Sequence, residues 1–148
     1  MADITTITFV YPPNFTGTYT GTQKGVRRYI VNCTNYSDST GEADAIKLKR
    51  TDLRNSDGKI PKKLIIEKIE YDISGMTVYI DYNNTNSDRV CVLYGSAGVL
   101  DFTASGGFVP TYDDADGDTG VGDITFTTAN ETAADSYNIT LTVRLSGE

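Results

Sequence analysis

Three aspartates in the last third of the chain have the types and spacing that could bind a metal ion. Asp114, Asp116 and Asp118 stand at i, i+2 and i+4, as carboxylates do in a tight calcium-binding loop. The match to an EF-hand loop fails further along. Thr119 replaces the glycine of the sharp turn, and Thr125 replaces the bidentate glutamate. We therefore interpret the stretch as a solvated acidic loop and keep calcium as a side hypothesis.

Other residues that could support catalysis do not form a recognisable motif. There is no histidine, which removes His-dependent triads and His-ligated zinc, and Cys33 and Cys91 are too far apart for a CxxC site. The glycine-rich stretches at 95–98 and 105–107 lack the Gly-Lys-Ser/Thr of a phosphate-binding loop. Twenty acidic residues could supply a carboxylate pair for glycoside hydrolysis, but their separation in space cannot be deduced from sequence. We expect no enzymatic activity, no metal and no cofactor.

The charge balance and the N-terminal sequence limit the partners. Thirteen Lys and Arg against twenty Asp and Glu give a net charge of -7. Nucleic acid is therefore not an expected partner, because phosphate backbones are bound by clustered cations. No apolar run approaches the roughly 18 residues of a membrane span, and the N-terminus lacks the basic and apolar regions of a secretory signal. We expect a protein made in the cytoplasm that does not bind a membrane.

Apolar and polar residues alternate with a period of two through most of the chain, a pattern typical of half-buried strands. The pattern is clearest in residues 64–82, where Ser74-Gly75 predicts the two-residue turn of a β-hairpin. This turn would place the apolar residues of both strands on one face. It would also place Lys68 opposite Asp81 on the solvated face.

The same pattern recurs along the chain and defines the fold class. Further strands are predicted at 7–11, 26–33, 89–94, 123–127 and 137–145. Residues 42–54 also suit a short helix, but the alternation of Ile46 and Leu48 with lysines favours a strand. The chain shows no repeat and no linker. We predict one all-β domain over residues 1–148, an antiparallel β-sandwich or jelly roll of about eight strands.

The N-terminal segment, residues 1–13, has two interpretations. It is uncharged apart from Asp3, and Pro12-Pro13 separates it from the rest of the chain. It is either an edge strand of the sandwich or an extended arm that adds to the sheet of a neighbouring subunit. Sequence does not distinguish the two. The residues that would contact a partner are Ile4, Ile7, Phe9 and Tyr11.

Several short segments between residues 64 and 145 give the chain a likeness to a known family. They are Lys68-Ile69-Glu70-Tyr71, Ser74-Gly75-Met76, Val92-Leu93, Leu100-Asp101-Phe102, Gly106-Gly107, Gly122-Asp123-Ile124, Thr127-Thr128 and Asp135-Ser136-Tyr137-Asn138-Ile139. In these segments the chain resembles the capsid decoration, or cement, proteins of tailed bacteriophages. The first half of the chain departs from that pattern.

The resemblance implies a non-enzymatic virion protein that binds the outer capsid surface and stabilises the head shell. Its expected partners are the major capsid protein and further copies of itself, as a homotrimer on the capsid. An alternative is a phage tail or fibre module that binds host-surface carbohydrate. A glycan-cleaving enzyme is the third candidate.

The interpretation of the acidic loop as solvated gives a direct prediction. Removal of divalent cations with EDTA should leave the melting temperature unchanged, because no folded-state ligand is lost. A calcium-dependent rise of several degrees that disappears in Asp116→Ala would instead identify a structural ion site.

Overall fold

The computed structural model describes residues 3–13, 15–17, 26–54, 58–83, 88–109 and 122–145. These residues form nine strands, where about eight were expected, and two single-turn 3-10 helices at Arg50–Asp52 and Thr103–Ser105. The strands are β1 Ile4–Tyr11, β2 Arg28–Asp38, β3 Ala45–Leu48, β4 Leu64–Ser74, β5 Thr77–Tyr82, β6 Asp88–Leu93, β7 Ala97–Asp101, β8 Ile124–Ala129 and β9 Ala133–Leu145. In this part of the chain no helix has the length and apolar character required to cross a membrane.

The strands form two antiparallel sheets. One sheet has the order β1-β2-β9-β4-β7, and the other has the order β3-β8-β5-β6. The pairs are nested along the chain, because β5 pairs with β6, β4 with β7, β3 with β8 and β2 with β9. The prediction of an all-β antiparallel sandwich is confirmed.

The core lies between the inner faces of the two sheets. Along β2 and β9 buried residues alternate with partly exposed ones, as the period of two requires. Fully buried side chains come from both sheets, among them Ile69, Ile80, Phe126, Ile139 and Leu141. Each such side chain stabilises the fold by about 1.5–3 kcal/mol relative to an exposed one.

The predicted hairpin between β4 and β5 is wrong. The two strands belong to different sheets, so the Ser74-Gly75 connection carries the chain from one sheet to the other. The inward faces were predicted correctly, since Ile69 and Ile80 are both buried. Alternation defines which face of a strand is buried but does not identify its hydrogen-bonded neighbour.

The predicted pairing of Lys68 with Asp81 is also wrong, because it depended on the β4–β5 hairpin. Lys68 lies opposite Asp101 and Thr142. Asp81 is buried and binds Arg89 on β6, where Arg89 Nε donates to Oδ1 at 2.5 Å.

The ambiguous segment at 42–54 contains a strand, as predicted. It forms β3, and a single 3-10 turn follows. A register shift between Ile46 and Leu48 breaks the expected alternation. Lys47 and Leu48 are both buried, and Ile46 is exposed.

The ion pair of Arg89 with Asp81 tests the strand arrangement. Replacement by Arg89→Met leaves the buried Asp81 carboxylate without its cation and should lower the free energy of unfolding by about 1–2 kcal/mol. We set this value below the full range for hydrogen bonds to charged groups, because the Arg89 side chain is half exposed and solvent screens the pair. The control Lys68→Met should change the unfolding energy by less than about 0.5 kcal/mol in urea titrations. Equal losses in the two variants would favour the hairpin over the crossover.

Candidate functional site at the β1–β3 edge

The N-terminal segment forms an edge strand in its own chain. β1 pairs antiparallel with β2 from Ile4 opposite Tyr36 to Tyr11 opposite Ile30. It is the outermost strand of the five-stranded sheet, and among the described residues no strand pairs with its other edge. In the structure this segment is therefore an edge strand of its own chain's sheet, the first of the two interpretations given above.

The predicted contact residues on β1 differ in exposure. Ile4 is 63% exposed, and Ile7 and Tyr11 are also exposed. Phe9 instead packs edge-on against Phe15, with their ring centroids 4.7 Å apart, and so belongs to the rim of the core. The strand therefore offers apolar side chains and free backbone groups together at one sheet edge.

A cleft opens between β1 and β3, the outermost strands of the two sheets. It has a volume of about 560 Å³ and is lined by apolar and polar side chains in equal number. They include Ile7, Phe9, Phe15, Ile46 and Leu48. The sequence could not predict this β1–β3 cleft. It does not show that β1 and β3 are edge strands of different sheets that lie next to each other.

Beside this cleft lies a polar group that we call the Glu42 cluster. It consists of four buried side chains and one partly exposed one, Asp3; the buried ones are Asn35, Glu42, Lys47 and Tyr137. Lys47 Nζ donates to Glu42 Oε2, and the two side chains are 3% and 8% exposed. Tyr137 Oη donates to Glu42 Oε1 at 2.5 Å. The Asn35 amide nitrogen donates to Glu42 Oε1 at 3.2 Å and to Asp3 Oδ2 at 3.1 Å.

Four elements position the cluster. Asn35 lies on the inner face of β2 and Tyr137 on that of β9, while the irregularity in β3 turns Lys47 inward. Glu42 is fixed to β8, since its N–H donates to Thr128 Oγ1 at 2.8 Å and its carbonyl accepts from the Thr128 N–H at 3.0 Å. Both sheets therefore contribute to the cluster.

The sequence analysis missed this cluster. It placed Lys47 on the polar side of an alternating strand, where a lysine is usually solvated. The rings of Phe126 and Tyr137 instead flank its ammonium group, with centroids at 5.7 and 5.9 Å. Asn35 and Lys47 lie seven and five residues from Glu42, and Tyr137 lies 95 residues from it, so the three residues share no motif spacing that the sequence could reveal.

Burial sets the ionisation of the neighbouring groups. Burial, followed by the Glu42 carboxylate, raises the pKa of Tyr137, so its hydroxyl remains a donor. Burial raises the pKa of Cys33 to about 12 and that of Cys91 to about 11, so both are neutral thiols at pH 7. Burial would raise the pKa of Asp3, but hydrogen bonds from Asp38, Asn35 and Gly41 outweigh it and hold that pKa below its usual value.

The proposed calcium ligands Asp114, Asp116 and Asp118 lie outside the described residues. Within the described ranges, no group of three or more His, Cys, Asp or Glu side chains is placed to hold a metal ion.

Comparison of the chain with protein-family models, with curated proteins and with solved structures finds no match. The function must therefore be argued from three features of the molecule. These are the strand order, the exposed β1 edge and the Glu42 cluster.

The hydrogen bond from Tyr137 to Glu42 should contribute measurably to stability. Tyr137→Phe should lower the free energy of unfolding by about 1.5–3 kcal/mol, the cost of losing a buried hydrogen bond to a charged group. The loss should be the same at neutral and mildly alkaline pH, because the raised pKa of Tyr137 keeps the hydroxyl protonated. The exposed Tyr36 gives the control, and Tyr36→Phe should stay within about 0.5 kcal/mol of the wild type. Similar values for both variants would show that the hydroxyl does not support Glu42.

Proposed function

We propose that this chain is a non-enzymatic structural protein of a bacteriophage virion that binds the outer capsid surface and stabilises the head shell. The observation that carries the proposal is the exposed, uncharged edge strand β1. The proposed partner is the major capsid protein, and the proposed location is the capsid surface.

The strand order is consistent with a viral structural protein. The nested pairs, with β5 and β6 innermost and β2 and β9 outermost, follow the order expected of a double-sheet jelly roll. We therefore interpret the sandwich as a jelly roll. This architecture is frequent in viral capsid proteins and in lectins. It is compatible with both functions implied by the sequence, so the strand order does not decide between them.

The β1 edge favours the capsid-binding function. Natural sheets usually protect their edges with charged residues, prolines or very short strands. β1 has eight residues and no charge from Ile4 to Tyr11, and Val10 is exposed as well. Such an edge suits strand addition, in which main-chain hydrogen bonds give affinity and exposed apolar side chains add contacts. Ile4, Ile7 and Tyr11 are the proposed contact residues.

Stabilisation of the shell requires binding and no catalytic reaction. A protein that binds the assembled shell and not its free subunits stabilises the shell by mass action. On a symmetric lattice, a homotrimer at a local threefold axis would repeat the β1 contact three times. We propose this oligomer for the bound state.

A second candidate function rests on a shallow groove over β4, β7 and β9. Its volume is about 360 Å³, and its lining includes Glu70, Asp72, Asn138 and Thr140. Carboxylate, amide and hydroxyl groups are suitable hydrogen-bond partners for sugar hydroxyls. This groove is the feature that favours a tail or fibre module that binds host-surface carbohydrate.

Lysine substitutions on β1 test the first function. The double variant Ile4→Lys with Val10→Lys places two charges on the exposed edge and should weaken binding to purified heads at least about tenfold. Its melting temperature should stay close to the wild-type value, because both side chains are exposed. Co-sedimentation with heads that lack this protein measures the binding.

Val99 on β7, at the opposite edge of the same sheet, provides a matched control. It is 55% exposed, against 56% for Val10, and Val99→Lys should sediment with heads as the wild type does. Undiminished binding of the β1 double variant would contradict the proposed surface. If the wild-type protein does not co-sediment with heads but binds a defined sugar on a glycan array, the second function is favoured.

A further inference from the structure

Two groups that can react with each other contact the same buried carboxylate. Lys47 Nζ binds Glu42 Oε2, and the Asn35 amide nitrogen lies 3.2 Å from Glu42 Oε1. Asn35 is 2% exposed. Its Oδ1 is buried and accepts no hydrogen bond from any described residue. A buried amide whose carbonyl oxygen has no hydrogen-bond donor is costly in a folded protein, and such a group in a native structure calls for an explanation.

We propose that the Glu42 cluster is a self-reacting site that joins Lys47 Nζ to Asn35 Cγ through an intramolecular isopeptide bond. Lys47 is the nucleophile, the Asn35 side-chain amide is the electrophile, and Glu42 is the catalytic acid and base. The inference does not depend on the function proposed above.

The reaction balances without any other reactant. Transfer of one proton from the Lys47 ammonium to Glu42 gives an amine with a free lone pair and a neutral carboxylic acid. The amine attacks Asn35 Cγ and forms the new C–N bond, while the carbonyl electron pair moves to Oδ1. Glu42 passes its first proton to Nδ2 and then takes the second proton from Nζ. The Cγ–Nδ2 bond breaks as the carbonyl re-forms, and the nitrogen leaves as ammonia, which takes the second proton from Glu42 and becomes ammonium.

The surroundings favour this reaction over hydrolysis. The Phe126 and Tyr137 rings flank Nζ, and burial excludes the water that would convert Asn35 to aspartate. The Tyr137 hydroxyl, 2.5 Å from Glu42 Oε1, holds the carboxyl group between the two reactants. Tyr137 is thus a positioning residue.

The bond would link the two sheets covalently. Asn35 lies on β2 of the five-stranded sheet and Lys47 on β3 of the four-stranded sheet. Among the described residues, the contacts between the two sheets at this place include the hydrogen bonds of the Glu42 cluster, to which the bond would add a covalent link. Unlike a disulfide, an isopeptide bond is insensitive to the reducing conditions of a cytoplasm.

The mass of the intact wild-type chain tests the proposal directly. The measured mass of the folded, purified protein should be lower than the mass calculated from its sequence by the mass of one ammonia molecule. Trypsin should fail to cleave after Lys47, because its side chain is acylated. Digestion of the denatured chain after Glu42 should leave the segments that carry Asn35 and Lys47 joined, since the bond spans the cut.

Variants assign the roles of the three residues. Lys47→Met and Asn35→Ala should each restore the full mass, and digestion after Glu42 should then separate the two segments. Glu42→Gln removes that cleavage site, and it should restore both the full mass and tryptic cleavage after Lys47. The matched controls are Asn32→Ala on β2 and Lys49→Met, one residue after the end of β3. Both should retain the loss of one ammonia.

Three outcomes would overturn the proposal. A folded wild-type chain that keeps its full mass after prolonged incubation has no such bond. The loss of one water instead of one ammonia would assign the bond to a carboxylate, either Asp3 or Glu42, and exclude Asn35. A Glu42→Gln chain that still loses ammonia, with peptide sequencing placing the bond at Asn35 and not at the new amide at position 42, would exclude Glu42 as the catalytic group.

Discussion

An open β-sandwich must end in strands whose outer backbone groups have no neighbouring strand, and this constraint shapes the molecule. In the described part of the chain these strands are β1 and β7 in one sheet and β3 and β6 in the other. β6 carries Asp88 and Arg89, and β7 is only five residues long with Asp101 at its end. β1 is longer, uncharged and apolar at its surface. It is the edge with the least protection against pairing with another chain.

The Glu42 cluster supports that edge from inside. Asp3, immediately before β1, accepts hydrogen bonds from the Asp38 N–H at 3.0 Å and from Asn35. Asn35 connects this carboxylate to Glu42, which in turn binds Lys47 on β3. A buried ion pair gives little net stability against an apolar alternative, but removal of one partner is strongly destabilising. The cluster therefore ties the start of β1 to both sheets and makes the position of the edge specific.

The period of two was sufficient to predict the fold class and the buried faces, as Ile69, Ile80 and Leu141 show. It could not predict strand neighbours. The Ser74-Gly75 turn fits a hairpin locally, yet β4 and β5 each occupy an interior position in a different sheet. The sequence left the β1 segment as either an edge strand or an arm, and of its four named contact residues Phe9 packs against the core. The burial of Lys47 was not foreseeable, because it results from a one-residue irregularity in β3 and from tertiary contacts with β8 and β9.

The proposed role of β1 can be examined most directly by electron cryomicroscopy of phage heads that carry this protein. The account predicts density for the sandwich on the outer capsid surface, with the free edge of β1 paired to a strand of the major capsid protein or of an adjacent copy. Density in which β1 faces solvent while another surface contacts the shell would contradict it, as would heads that carry no copies while the protein is found on the tail.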